Sequence, residues 1–425
     1  MLLQQARGAL AAPHPDELRG WWVPGRIEFL GKHTDYAGGR SLTCATEQGL
    51  CVVARPLEQR MLRLVLAPAG DRAQLALAAD VPLPAGEWNA YPVAVVRRLV
   101  RDFGPLRWGA ALAIAGDLPR DAGLSSSSAL VIGVALALAG LNRLEERPAW
   151  RAAFPDRESL AGYLGAVESG KAFGGFAADF GVGTLGGTQD HTAILCARPG
   201  ALVQYRFAPV RFERAVPFPP EAVLAIGVSG VAAPKQREAL AGYNARALAA
   251  ERLVAIWRRG TGGTEATLFA ALASEPGARE RLRALLRGDP DEPGLAARLE
   301  QFAVECVELV PGAGEALRQR DWSGLGTLAD RSQAGAERGL GNQVPETVHL
   351  QRSARRLGAL AASAFGAGFG GSVWAMLPRA AGAAFLARWE ADYLGAFPGR
   401  GAAARFFTTA PAPRATELPA AALRG

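Results

Sequence analysis

The chain has 425 residues, 49 % of them apolar, and a formal charge of +7. That length and apolar content suit two domains with real cores and exclude a disordered chain. The basic residues form no arginine-rich arm and no stripe interleaved with aromatics, so nucleic acid is not an expected partner; apolar runs such as Ala129 to Leu141 are too short for a membrane span.

Met1 to Gly20 carries Arg7, Asp16 and Glu17 and does not read as a secretory signal. Val23 to Leu30 reads as a strand, followed by a Gly-rich turn at Asp35 to Gly39. Ser41 to Ala54 and Arg63 to Leu75 read as further strands. Trp88 to Asp102 has helical spacing through Tyr91, Val95 and Leu99. Ala110 to Ala115 is a short strand that runs into a loop, Gly116 to Ser128, and then an Ala-rich helix ending near Asn142. Leu160 to Lys171 is helical. Prolines 209, 217, 219 and 220 interrupt the chain, and a domain boundary is expected near residue 210, giving units 1–210 and 211–425. Val223 to Val228 is a strand, helices dominate from Gln236 to Leu357, and Ser363 to Leu377 reads as strand, Gly-rich turn, strand. The Pro/Ala-rich tail after Pro411 is expected to fray.

Cys44, Cys51, Cys196 and Cys306 have no metal-ligand spacing, and neither do His14, His33, His191 and His349. Reduced, buried thiols in a cytoplasmic protein are the expectation. Only Lys32, Lys171 and Lys235 among the 47 basic residues are lysines. A lysine that persists against such a bias invites a specific role.

Three segments carry chemistry. In Gly116-Asp-Leu-Pro-Arg-Asp-Ala-Gly-Leu-Ser-Ser-Ser-Ser-Ala129, a strand enters a small-residue loop that opens a helix. Unpaired N–H groups and the helix dipole suit a phosphate there, and Gly123, Leu124 and Ser125 to Ser128 are the candidate contacts. It is no Walker A loop, since no Gly-Lys-Ser/Thr follows; plain helix capping by serine is the alternative. Pro24-Gly-Arg-Ile-Glu-Phe-Leu-Gly-Lys-His-Thr-Asp-Tyr-Ala-Gly-Gly39 puts Arg26, His33 and Asp35 near one strand end, where a polyol could be fixed. Phe365-Gly-Ala-Gly-Phe-Gly-Gly371 is a glycine turn.

Together these segments resemble, in order, the sugar signature, nucleotide loop and C-terminal glycine loop of the GHMP kinases, galactokinases in particular. The resemblance implies an α+β fold with an N-terminal S5-like α/β domain, a C-terminal ferredoxin-like domain and the site between them. It implies ATP-dependent phosphorylation of a monosaccharide hydroxyl, the anomeric one, with ATP and Mg2+ as cofactors, and a monomer or homodimer as the working form. By the same resemblance Asp190, in Gly186-Gly-Thr-Gln-Asp-His-Thr192, is the catalytic carboxylate and Arg26 its partner. Lys32, His33, Asp35, Gly187 and Tyr243 contact the sugar. Trp88 lines the adenine pocket, Gly368 and Gly370 close over the phosphates, and Ser126 and Glu168 hold the metal.

Two departures stand out. The interval from Glu168 to Asp190 is longer than the family pattern, with a Gly-rich insert at 173–187 that offers a spare acid, Asp179. Lys32 stands where a galactokinase has glutamate, which points either to an acidic acceptor or to a lysine that pairs away from the sugar. Other acceptors of the same chemistry (a uronic acid, another hexose, a heptose or a polyol) and a non-catalytic sugar and ATP sensor are the rival readings.

Overall fold

The computed structural model describes residues 1–10, 17–84, 86–119, 122–231 and 236–424. His14, Lys235, Arg120 and Asp121 of the serine loop, and residues 232–235 ahead of Tyr243, lie outside them. In chain order the strands are β1 (Arg19–Leu30), β2 (Arg40–Leu57), β3 (Met61–Ala67), β4 (Asp71–Ala76), β5 (Gly109–Gly116), β6 (Ala201–Arg206), β7 (Arg211–Pro217), β8 (Ala222–Val228), β9 (Ala361–Phe365), β10 (Ser372–Pro378), β11 (Arg405–Thr409) and β12 (Thr416–Glu417). The helices begin with α1 (Leu2–Leu10), α2 (Ala90–Phe103), α3 (Ser126–Leu141), α4 (Pro148–Ala153), α5 (Arg157–Ser169) and α6 (Gln189–Leu195). They continue with α7 (Gln236–Thr261), α8 (Leu268–Leu272), α9 (Ala278–Leu285), α10 (Glu292–Val304), α11 (Val310–Gln319), α12 (Trp322–Gly335), α13 (Pro345–Arg356), α14 (Gly382–Ala396) and α15 (Ala420–Arg424).

The first sheet runs β12-β1-β2-β5-β3-β4, with β6 on β2 and β7 on β6. Within it β3 and β5 pair in parallel, through the crossover that carries α2. Side chains alternate across a strand, and both faces of this sheet are covered. Val52, Leu112 and Ile114 meet α3, whose Leu130 to Leu138 is buried on nearly every side. Cys51, Val53 and Ala113 face α1 and Leu423 of α15.

The second sheet, β11-β8-β10-β9, is antiparallel throughout. Its chain path, strand, helices, two strands, helix, strand, is the ferredoxin-like pattern, with α7 to α12 inserted between the first strand and α13, which packs on the sheet. Leu253, Trp257, Leu282, Leu295 and Phe302 give that insertion a core of its own. The two sheets are joined at Phe29 and Trp374, whose rings stack at 4.0 Å while the indole N–H donates to the Phe29 carbonyl at 3.0 Å.

Two expectations are corrected. Residues 63–75 are not one strand but the β3–β4 hairpin, because Pro68 and Gly70 (φ 81°) break the run. The tail after Pro411 does not fray: Ala412 N–H donates to the Ala45 carbonyl at 3.0 Å, β12 pairs with β1, and Leu423 is 2 % exposed. The chain passes from one sheet to the other between Pro217 and Ala222, after β7 has paired with β6, and this tail then returns to the first sheet.

Candidate active site

The site is built where β1 leaves regular pairing. A register shift between Pro24 and Arg26 turns Arg26 toward the serine loop. Its backbone N–H donates to the Leu124 carbonyl at 3.2 Å, and its guanidinium reaches the Gly123 carbonyl. Leu124 itself is a core side chain, 1 % exposed. Ser125 adopts the left-handed region (φ 61°, ψ 44°), and no side chain caps the first turn of α3. The capping alternative therefore fails for Ser125: its hydroxyl donates to Asp190 Oδ2 instead. The uncapped amides that follow, with Ser126 and Ser127 partly exposed, are the arrangement a phosphate requires.

Asp190, in the first turn of α6, accepts from Arg26 Nε at 2.7 Å through Oδ1. Burial alone would push its carboxyl up. The Arg26 charge and hydrogen bond and the Ser125 hydroxyl overcome that and hold it below the ordinary aspartate value. Asp35 lies beside it, its Oδ2 accepting the Gln189 N–H at 3.1 Å. Burial raises the Asp35 carboxyl, and the nearby Asp190 charge adds to the rise. A Cβ on Gly187 would fall 2.3 Å from Asp35 Oδ2, so only glycine allows this approach. Tyr243 faces the same place: a Cβ on Gly186 would sit 3.4 Å from its hydroxyl. Burial and then Asp35 push the Tyr243 phenol well above its ordinary value, so it is an O–H donor at neutral pH.

Lys32 is placed otherwise than expected. It is 1 % exposed, and its Nζ donates to Ser332 Oγ and Ser363 Oγ, each at 2.8 Å, on the far side of the turn. Glu305, beyond α10, accepts from the Gly31 N–H at 2.8 Å and Ser332 Oγ at 2.8 Å in the same cluster. The lysine joins the two halves of the chain through these serines. His33 (φ 56°) also has both ring nitrogens engaged: Nδ1 is 3.0 Å from the Tyr36 hydroxyl and Nε2 is 3.0 Å from the Ala367 carbonyl. Burial and the Arg298 charge push its imidazole down to about 3, so Nε2–H donates and neutral Nδ1 accepts.

The glycine turn locks onto both other motifs. Ser372 Oγ donates to the Ala122 carbonyl at 2.5 Å, and Gly366 approaches so closely that a Cβ would sit 3.1 Å from the Gly123 carbonyl oxygen. Asn342 O accepts the Phe369 N–H, and a Cβ on Gly368 would strike that same oxygen at 2.4 Å; Gly370 has φ 130°. Phe369 (φ 58°) lies under Arg246, with its ring against Gly242 of α7.

Glu168, at the end of α5, accepts from Ser128 Oγ at 3.0 Å, and its Oε2 lies 3.1 Å from His191 Nε2. Ser126 and Glu168 are thus joined to one helix start through Ser128, and both offer the oxygen donors that magnesium takes. Trp88, just ahead of α2, is partly buried against the main core. The 173–187 insert is tied down at three points. Phe173 and Phe176 pack around Tyr163, Asp179 takes Arg97 at 2.9 and 3.3 Å, and Asn244 exchanges hydrogen bonds with Leu185 N–H and the Gly183 carbonyl. Asp179 is therefore an ion-pair residue on the α2 side, and Asp190 is the acid beside Arg26.

Asn342, Arg298, Gln189 and Glu28 were not legible as site residues. Arg298 donates to the His33 carbonyl at 2.6 Å and to the Tyr36 hydroxyl at 3.2 Å. Nothing in the helical spacing of α10 marks it. Glu28 did carry a signal: a charge inside the apolar run Ile27 to Leu30.

Three stretches of the chain match known family regions. Residues 13–56 match the galactokinase galactose-binding signature, 90–175 the GHMP kinases N terminal domain and 313–394 the GHMP kinases C terminal region. A galactokinase of Roseiflexus sp. (strain RS-1) is 28 % identical over 364 residues, 84 % of this chain and 83 % of that one. One of Haemophilus influenzae (strain PittGG) is 30 % identical over 113 residues, 27 % of this chain and 29 % of the relative. Lactococcus lactis galactokinase, solved with galactose, shares the fold with a TM-score of 0.77 at 22 % identity, over 95 % of both chains. A mevalonate kinase superposes with a TM-score of 0.52 at 14 % identity, over 92 % of this chain and 98 % of that one. With the galactokinase signature and the GHMP kinase N-terminal and C-terminal regions matched in chain order, the chain is a galactokinase-like, ATP-dependent sugar kinase.

Proposed function

We propose that the chain transfers the terminal phosphoryl group of ATP to the anomeric hydroxyl of a hexose of the galactose type, with Asp190 as proton acceptor. The observation that carries this reading is the placement of Asp190 between Arg26 and Ser125, at the mouth of an uncapped helix and beside Asp35 and Tyr243. Asp35 and the Tyr243 hydroxyl supply an acceptor and a donor for sugar hydroxyls. Phosphoryl transfer passes through a loose transition state, so its demands are positioning, charge neutralisation and a late proton acceptor. A carboxylate held in its charged form meets the last demand, and Arg26 stabilises charge on the transferring group. The α3 amides cradle phosphate, Trp88 walls the adenine, and Gly368 and Gly370 close the phosphate side.

Ser126 and Glu168 are the residues to hold Mg2+, which when bound neutralises phosphate charge. A reducing, cytoplasmic setting suits the four free, buried cysteines. With the Lys32 ammonium engaged by Ser332 and Ser363, it is not free to favour an acidic sugar, and a neutral hexose is the better reading. The test is turnover of Mg-ATP against galactose, galacturonate and a neutral hexose panel, with wild type and Asp190→Asn. Asp190→Asn is expected to bind ADP normally and to lose about a hundred- to ten-thousand-fold in turnover. Near-wild-type turnover in that variant refutes the assignment.

A further inference from the structure

Glu28 is a carboxylate where the strand offers only burial. It is 3 % exposed, and its Oε1 has no hydrogen-bond partner among the described residues. Its Oε2 accepts from Gln189 Nε2 at 2.8 Å. Gln189 is the residue before Asp190. Its Oε1 accepts from Ser41 Oγ at 2.7 Å, and its backbone N–H is the one held by Asp35. Groups from β1, from β2 and from the turn after β1 thus grip the first residue of α6. An ionised carboxylate only accepts, so it forces the Gln189 amide to point Nε2 at Glu28 and Oε1 at Ser41. Burying a carboxylate is costly, and a glutamine or an aliphatic residue would fill the strand at less expense.

We propose that Glu28 is a positioning residue which, through Gln189, holds Asp190 against Arg26 and Ser125. The proposal rests on the reading of Asp190 as proton acceptor. The charged groups facing Glu28 are Arg26 on its own strand, Lys32 just beyond it and Glu305 from the segment after α10. Burial, opposed first by the Lys32 charge, pushes its carboxyl up to about 7. Above that value Glu28 is ionised and fixes the amide; as pH falls through it the carboxyl protonates, becomes both donor and acceptor, and no longer dictates which way the amide points. Asp190 is held below the ordinary range and does not titrate there.

The experiment compares kcat of Glu28→Gln and wild type, full chain with saturating Mg-ATP and galactose, from pH 6 to 8.5. Ionisation of ATP cancels in the ratio. Wild type and variant are expected to agree within about two-fold at pH 6, where both residues are neutral. At pH 8 the variant should fall about ten-fold behind, the scale of a small misplacement of a reacting group. ADP affinity should be unchanged, because the α3 loop is untouched. A deficit of equal size at every pH makes Glu28 a packing residue and overturns the proposal, as does no deficit at pH 8. In an Asp190→Asn background Glu28→Gln should change nothing further. A fully active Asp190→Asn instead refutes the proton-acceptor reading itself, which separates the two failures.

Discussion

Replacing Lys32 with methionine removes a charge that ties the sugar turn to the C-terminal half. The Nζ donates to Ser332 on α12 and Ser363 on β9, both wholly buried, with Glu305 as the balancing charge. Leaving a buried carboxylate without its nearby compensating cation costs up to roughly 3–5 kcal/mol. Glu305 keeps the Gly31 N–H, the Lys32 N–H and the Ser332 hydroxyl, so it is not stripped bare and the low end applies. Unfolding entropy of about 2.1 cal/mol/K per residue gives roughly 0.9 kcal/mol/K for a chain of this length, so a loss of about 3 kcal/mol lowers Tm by about 3 °C. The assay pairs a thermal midpoint with kcat/KM for galactose and galacturonate. The midpoint should fall while the ratio between the two sugars stays within about three-fold, since no acceptor contact is removed. An unmoved midpoint with an altered sugar ratio would show that Lys32 reaches the substrate.

Asp179→Asn should retain turnover within about two-fold, because its carboxylate serves Arg97 and not the reacting centre. Its contribution to stability is present above the ordinary aspartate value of 3.8 and lost as pH falls below it, since the folded carboxyl is held down against burial by Arg97. A dead Asp179→Asn with normal melting would reverse the assignment of the two acids. Leu423→Ala should cost about 2–3 kcal/mol in urea unfolding, the range for a buried leucine that leaves a partly collapsible cavity; a loss below about 0.5 kcal/mol would mean that the tail contributes nothing to the first sheet.

Strands and helices with a regular period were readable because burial on one face writes itself into the sequence. The three motifs were readable because their residues, in this order, resemble those of a known family; that the helix start after the serine loop is uncapped needed the structure. What could not be read is what depends on distant pairing. Lys32 carries a charge whose direction is set by Ser332, Ser363 and Glu305, some 300 residues away, and no local pattern announces them. The Pro/Ala-rich tail has the composition of a frayed end, yet backbone hydrogen bonds to Ala45, Ile194 and Gly20 hold it, and these need no particular side chain. The hydrogen bond between Glu28 and Gln189 spans 161 residues and exists only when β1 and α6 are both in place.

The phosphate loop and its cover come from opposite ends of the message. Ala122 and Gly123 are met by Ser372 and Gly366, and His33 by Ala367. During synthesis the serine loop therefore leaves the ribosome long before the segment that encloses it. A nascent or prematurely terminated chain has half a nucleotide cradle, open to water on the side where the glycine turn belongs. Such a fragment cannot exclude solvent from a phosphate bound at the serine loop, so protection from water waits for the C-terminal segment.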